Sequence, residues 1–324
     1  MTLPAPRPPV TRVVQATPDD SAARWSRLML GTVQFGMHYG VANRAGQPEY
    51  ADVVAILAAA IEGGVTCCDT AAAYGTSEEV LGRALDELGV AERVTVVTKV
   101  QPLTPEEAAA PAWAARVIEA SIERSRRLLR LDRLPLVLFH READAAHLDA
   151  LLAIRDRGWV RDVGLSCDNR PGPAAEFTAR DGVAALQVPT NILDPRHRRG
   201  GTFAAAADRG VAVFVRSVYL QGLLLMPETE LPRPLQAVVP VRRALESLAT
   251  AAGMSLPELA VRFVLGLPGV TSLVMGVETA AQLEENLGLL ARGPLDADLM
   301  AAVEAATPDL PESVITPALW PARP

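Results

Sequence analysis

Short apolar segments deliver four polar residues of different chemistry near their ends: Asp69 and Tyr74 in VTCCDTAAAYG, Lys99 in VTVVTKV and His140 in LPLVLFH. A carboxylate, a phenol, an ammonium and an imidazole brought to one place make a proton-donating centre that can be built around a carbonyl group. Tyr74 is the natural general acid of such a centre. An ammonium at Lys99 favours phenolate character in its neighbour, and a carboxylate at Asp69 keeps that ammonium charged and oriented. His140 suits a donor to the carbonyl oxygen as negative charge develops there. Taken singly, each has a structural reading: Asp69 as a loop anchor or helix cap, Tyr74 as a half-buried aromatic, Lys99 as a solvated charge, and His140 as a satisfied core histidine. Their coincidence at successive strand ends favours chemistry.

The elements that must position them alternate along the chain. RLMLGTVQFGM reads as a strand or hairpin. Helical spacing over 50–61 puts Val53, Ile56, Leu57, Ala60 and Ile61 on one face, closed by Gly63 and Gly64. VTCCD is a buried strand, and a capping box of Thr76 with Glu79 opens a helix burying Val80, Leu81, Ala84, Leu85 and Leu88. RVTVVTK is strand and 112–129 helix; strands over 134–140, 163–166, 184–188 and 211–215 and at TSLVM then alternate with helices near 146–155, 174–179, 202–208, 241–251 and 257–265. Eight strand-then-helix units without a G-x-G-x-x-G fingerprint predict an α/β fold of the closed (β/α)8 TIM-barrel type, with its active site at the C-terminal ends of the strands. The expected domains are a disordered leader over 1–25, a single barrel domain over 26–306 and a tail over 307–324 near the pocket.

Composition narrows the function classes. A formal charge of −7 leaves no basic footprint for nucleic acid. No apolar run reaches the roughly 18 residues of a membrane span, and the N-terminus lacks the apolar core of a secretory signal. Three cysteines, with Cys67 and Cys68 adjacent and expected to fill the barrel core, make neither a disulfide framework nor a metal site. A cytoplasmic enzyme acting on a small molecule without metal, as a monomer or small homo-oligomer, is the expectation.

The stretches LGTVQFG, DTAAAYGTSEEVLGRAL, VVTKV, LFH, VRDVGLS, LQVPTN and VLGLPGVTSLVMGVETAAQLEENL resemble the aldo/keto reductase superfamily, in particular a bacterial subgroup with the LGTVQFG and DTAAAYG motifs. The most specific segment is D-T-A-x-x-Y-G-x-S-E, Asp69 to Glu78. The resemblance implies reduction of an aldehyde or ketone by a nicotinamide cofactor, or the reverse oxidation. Tyr74 would be the acid, Lys99 and Asp69 its tuning pair, and His140 the orienting donor. It also implies cofactor contacts at Gly31, Thr32, Ser166, Gln187, Arg216, Ser217, Leu220, Gly222, Gly276, Glu278, Gln282 and Asn286.

The chain departs from the family pattern in three places. Cys167 stands where an asparagine usually follows the serine, leaving Asn169 or Asn191 as replacements. Arg216 stands where an aromatic ring usually stacks on the nicotinamide; a stacked guanidinium disfavours the cationic oxidised ring. No cation occurs in 277–281, where phosphate-selective members carry Arg or Lys. Glu278 would repel a 2′-phosphate and suit a ribose hydroxyl, although it reads equally as a first-turn acid, and Arg262 is a potential rescuer. Of NAD(H) and NADP(H), NADH is therefore favoured. Phe35, His38, Tyr39, Trp113, Arg141, Tyr219 and Trp320 are candidates for the substrate wall, and the subgroup suggests a polar carbonyl from sugar or secondary metabolism. The alternatives are cofactor-assisted epimerisation without net redox and a cofactor-binding regulatory subunit.

Overall fold

A computed structural model describes residues 25–40, 43 and 46–320. Eight strands, β1 (Leu28–Gly31), β2 (Cys67–Asp69), β3 (Thr95–Val100), β4 (Leu134–Phe139), β5 (Val160–Ser166), β6 (Val183–Pro189), β7 (Ala212–Arg216) and β8 (Val270–Gly276), close in sequence order into a parallel barrel. Helices connect them on the outside, as the alternating pattern predicts. The register brings the C-terminal strand ends to one rim: Gly31 pairs with both Asp69 and Gly276, Ser166 with Gln187, and Pro189 with Arg216.

Side chains alternate across each strand, so the sheet faces two apolar layers. Met29, Cys67, Val97, Leu136, Leu138, Ala185 and Phe214 fill the interior. Leu30, Cys68, Val96 and Val137 belong to the larger layer between sheet and helices. The two adjacent cysteines therefore do not share the barrel core as expected; the period of two sends Cys68 outward. At the N-terminal end of the barrel, Trp25 meets Phe214 edge-on with ring centroids 4.8 Å apart. Arg27 there donates to the carbonyls of Val270 (2.6 Å) and Leu265 (3.0 Å).

The expected leader, apart from Trp25, lies outside the described residues. Beyond β1 the chain turns at once into the short helix Val33–Gly36 rather than continuing as strand or hairpin. Close packing explains this. A Cβ at Gly36 would come within 2.0 Å of the Tyr74 carbonyl and 2.3 Å of the Ser77 nitrogen, so this turn presses directly on the segment that carries Tyr74. Thr76 precedes helix Ser77–Glu87 without capping it. Instead Ser77 Oγ donates to the Thr32 carbonyl (2.7 Å), tying the helix start to β1.

Two helices beyond the expected pattern, Ala297–Ala306 and Glu312–Ile315, follow the last barrel helix. Arg196 holds the tail by donating to the Ile315 carbonyl and to Thr316 Oγ1, both at 3.1 Å. Among the described residues no single helix is long and apolar enough to cross a membrane.

Candidate active site

Asp69, the last residue of β2, is the hub of a buried network. Lys99 Nζ donates to Asp69 Oδ1 (2.7 Å) and Oδ2 (2.8 Å), to the Thr70 carbonyl (2.9 Å) and to the Tyr74 phenol (3.4 Å). Gln187, from β6 across the barrel, donates to the same Asp69 Oδ1 at 2.7 Å. Burial pulls the Lys99 ammonium down, but the Asp69 carboxylate and the Tyr74 phenol outweigh it and the net shift is upward. Lys99 is thus a fixed cation, and its ammonium also lies 4.8 Å from the Tyr74 ring centroid.

Tyr74 reaches this network because the chain after β2 turns sharply, with the Tyr74 N–H on the Ala71 carbonyl (3.0 Å). Gly75 then adopts φ 58°, a left-handed conformation in which a Cβ would sit 2.3 Å from the Gly36 carbonyl. His140 lies one residue past β4, its ring edge-on to Tyr74 at 5.5 Å and 88°. Burial, with the Lys99, Arg216 and Arg141 cations, pushes the imidazole down to about 3. At neutral pH it is uncharged, with one N–H to give, and its buried Nδ1 has no partner in the protein.

One cleft, open to solvent, begins at this centre. Gly31, Thr32, Asp69, Tyr74, Gln187 and Arg216 line its inner part, and Ser217, Gly222, Gly276, Glu278, Gln282 and Asn286 continue it. Pro257, Glu285 and Asn286 belong to helices on the outside of the barrel, so the cleft leaves the barrel mouth between β7 and β8. Its β7 wall is strained: Ser217, Leu220 and Gln221 all have positive φ (64°, 48° and 53°) without being glycine. Tyr219 bridges this wall to the helix Ala280–Ala291 through Asn286 Oδ1 (3.3 Å).

Several expected contacts are placed elsewhere. Ser166 is buried at the rim beside Gln187, and Leu220 points into the core. Asn169 donates to Asp194 (3.1 Å) and Asn191 Oδ1 accepts from the Leu193 N–H (2.9 Å), which ties each of these potential stand-ins for the missing asparagine to its own loop. Arg262 is committed to Glu258 and to the Gly293 and Pro294 carbonyls, which removes it as a phosphate partner. Arg216 donates to the Cys167 carbonyl (2.9 Å) and, among the described residues, pairs with no carboxylate.

On the substrate side, Tyr39 and Tyr219 line the cleft, whereas Phe35 does not. Phe35 is fully buried beside Gln47, Pro48, Tyr50 and Val80, because the short helix after β1 turns it into the helix layer. Arg141 turns to the Leu103 carbonyl and to Asp144 (3.3 Å), and the Trp320 indole donates to the Val314 carbonyl (3.0 Å). His38 pairs with the Asn43 carbonyl (3.1 Å), and Trp113 is exposed on its helix.

Two residues that the fold brings to this rim carry no signal of their own along the chain. Gln34 lines the cleft with its amide against Gly276, where a Cβ would come within 2.5 Å of Oε1. Glu142 accepts the Asp168 N–H (2.9 Å) on the rim, and burial pushes its carboxyl up to about 7.

The sequence model of the aldo/keto reductase family matches residues 27–308. The chain belongs to the aldo/keto reductase family. It is 25% identical to the aldo-keto reductase YhdN of Bacillus subtilis over 289 residues, covering 82% of this chain and 85% of that protein. It is 22% identical over 253 residues to the uncharacterized oxidoreductase YqkF of the same organism, covering 72% and 80%. Its fold matches the holo form of aldo-keto reductase AKR11C1 from Bacillus halodurans with a TM-score of 0.72 at 22% identity, over 90% of this chain and 95% of that one. It also matches the putative aldo-keto reductase PA4992 from Pseudomonas aeruginosa with a TM-score of 0.59 at 26% identity, over 83% and 90%. Like other aldo/keto reductases it is an NAD(P)-dependent oxidoreductase acting on CH–OH and C=O groups of small molecules.

Proposed function

We propose that this enzyme reduces a small polar carbonyl compound with NADH, using Tyr74 as the general acid. The observation that carries this reading is the continuous chain from Gln187 through Asp69 and Lys99 to the Tyr74 phenol, with the neutral His140 ring alongside. The cleft residues fit a dinucleotide. Gly276 puts no side chain on its floor, and His140 Nδ1 and Gln34 Oε1 are buried without partners in the protein. Gln187, Arg216, Ser217 and Gly222 would hold the nicotinamide half, and Gly276, Glu278, Gln282 and Asn286 the adenosine half. Bound there, a reduced nicotinamide supplies a hydride to the carbonyl carbon.

The protein's own residues handle the proton. As Tyr74 gives its hydroxyl hydrogen to the carbonyl oxygen, charge grows on the phenol oxygen, and the Lys99 ammonium at 3.4 Å stabilises it. Asp69 keeps Lys99 charged and in place, so little reorganisation is needed during the reaction. His140 donates its single N–H to the same carbonyl oxygen and fixes the substrate's orientation.

NADH is favoured because Glu278 and Glu285 line the outer arm of the cleft, and Arg262 is turned away. A 2′-phosphate there would meet carboxylates without a compensating cation. Tyr39 and Arg216 make the mouth polar, which suits a hydroxylated carbonyl such as a sugar. Assaying NADH and NADPH consumption against a panel of aldehydes and sugars tests this: turnover with a hydroxylated aldehyde, faster with NADH, is expected. Loss of cofactor selectivity or turnover restricted to apolar aldehydes would contradict it.

A further inference from the structure

A single peptide group on the barrel rim lies between two opposite charges. Its N–H, that of Asp168, donates to the Glu142 carboxylate at 2.9 Å, and its carbonyl, that of Cys167, accepts from Arg216 Nη2 at 2.9 Å. The loops after β4 and β5 and the end of β7 supply the three parts. The rest of this turn is pinned as well: the Cys167 N–H donates to the Gln187 carbonyl (2.8 Å), and His197 Nε2–H donates to the Asp168 carbonyl (2.6 Å). The Cys167 thiol is fully buried, so this residue acts through its backbone. Among the described residues, its carbonyl is the hydrogen-bond partner of the Arg216 guanidinium, which lines the inner part of the cleft.

Charges at its two ends polarise this peptide in the same sense, so each hydrogen bond strengthens the other. Glu142 and Arg216 thus form an ion pair bridged by a peptide, and the bridge joins both departures from the family pattern, Cys167 and Arg216, to a carboxylate two residues beyond His140. We propose that Glu142 is a positioning residue: by orienting the Cys167–Asp168 peptide it fixes Arg216 beside the nicotinamide, and so sets the preference for the reduced over the oxidised ring. The inference rests on the reading that this cleft holds a nicotinamide dinucleotide. A fixed guanidinium repels the cationic oxidised ring, whereas one free to swing into solvent is screened and loses that discrimination. The charge of Glu142 by itself acts in the opposite direction, since a carboxylate favours the cationic ring. Position and charge can therefore be told apart by comparing variants that both lack the charge.

Isothermal titration of the full chain with NADH and with NAD⁺, in alkaline buffer where Glu142 is ionised, tests the proposal. Glu142→Gln keeps an acceptor for the Asp168 N–H and Glu142→Ala removes it. Glu142→Gln should match or exceed the NADH preference of the unaltered protein, and Glu142→Ala should fall about fivefold below Glu142→Gln. In an Arg216→Leu background the two variants should agree within about twofold. Equal preferences in Glu142→Gln and Glu142→Ala, or a difference that persists without Arg216, would overturn the proposal. If Glu142→Ala melts early, Glu142→Met, similar in length and without an acceptor oxygen, takes its place in the comparison. No NADH binding by the unaltered protein would instead overturn the dinucleotide reading itself, and the inference with it.

Discussion

The two ends of the cleft are built on opposite principles. At the inner end the buried charge pair is compensated: Lys99 lies on both oxygens of Asp69, and Gln187 completes the carboxylate's partners. Strand ends position these groups, and the barrel's own hydrogen bonds fix the strands. At the outer end, loops do the positioning, with left-handed backbone at Ser217, Leu220 and Gln221, and polar atoms such as Gln34 Oε1 remain unpartnered. The inner end is preorganised for charge that develops during reaction, whereas the outer end is completed by what binds. Substitutions at the first should damage stability and rate together, and those at the second should alter binding while leaving the fold intact.

The largest effect should come from Lys99→Met. It leaves the Asp69 carboxylate buried without its cation, and removing one partner of a buried pair costs on the order of 3–5 kcal/mol. Chemical denaturation should show this loss. A stability change below about 1 kcal/mol would mean that the inner end is not the rigid element described here.

Next in size is Gly276→Val on the outer floor. The new side chain must displace the Gln34 amide, so NADH affinity should fall by about tenfold or more while the melting temperature moves little. A large drop in stability without a binding change would erase the contrast between the ends.

Arg216 joins the two regions, and its guanidinium lines the inner part of the cleft with no carboxylate pair among the described residues. Such a cation disfavours the positively charged oxidised ring, so NADH should bind more tightly than NAD⁺. The ratio should shrink about tenfold in Arg216→Leu, which corresponds to about 30 mV in the potential of the bound two-electron couple. Equal ratios in the two proteins would dissociate Arg216 from the ring.

The last prediction concerns pH. His140 in the folded chain is held down to about 3 by burial and by Lys99, Arg216 and Arg141, against an ordinary value of 6.5. The unfolded chain therefore binds the extra proton first as pH falls, and stability from keeping the ring neutral is lost between pH 6.5 and 3. Glu142 runs the other way in charge: its carboxyl, pushed up to about 7 by burial, favours the folded state while protonated, and that contribution fades as pH rises from 4.5 through 7. Denaturation midpoints for His140→Asn should flatten on the acid side, and those for Glu142→Gln between pH 4.5 and 7.

The same contrast explains what could be read from residues alone. The barrel and its strand ends follow from the alternation of β-rich and helical segments, and Asp69, Lys99 and Gln187 lie at those ends because the strands place them there. The positions of Phe35, Arg141 and Trp320 do not follow, since each depends on how a loop turns after its strand. Gly36 packing against Tyr74 sends Phe35 into the helix layer, and Asp144 draws Arg141 aside. Gln34 gives no local signal, because its significance lies in a contact with Glu278 across 244 positions of sequence. Cys67 and Cys68 show the same limit on a smaller scale: both are buried, but the sheet's period of two sends them to different layers.

The account turns on Tyr74 giving its proton from a site that binds cofactor independently. Single-turnover mixing of a NADH-loaded Tyr74→Phe variant with a reducible aldehyde, beside an equilibrium NADH titration of the same variant, separates the two. Unchanged NADH affinity with hydride transfer slowed by about 10²–10⁴ is the predicted result. Transfer at close to the unaltered rate would contradict the role given to Tyr74 and, with it, the division of labour along the cleft.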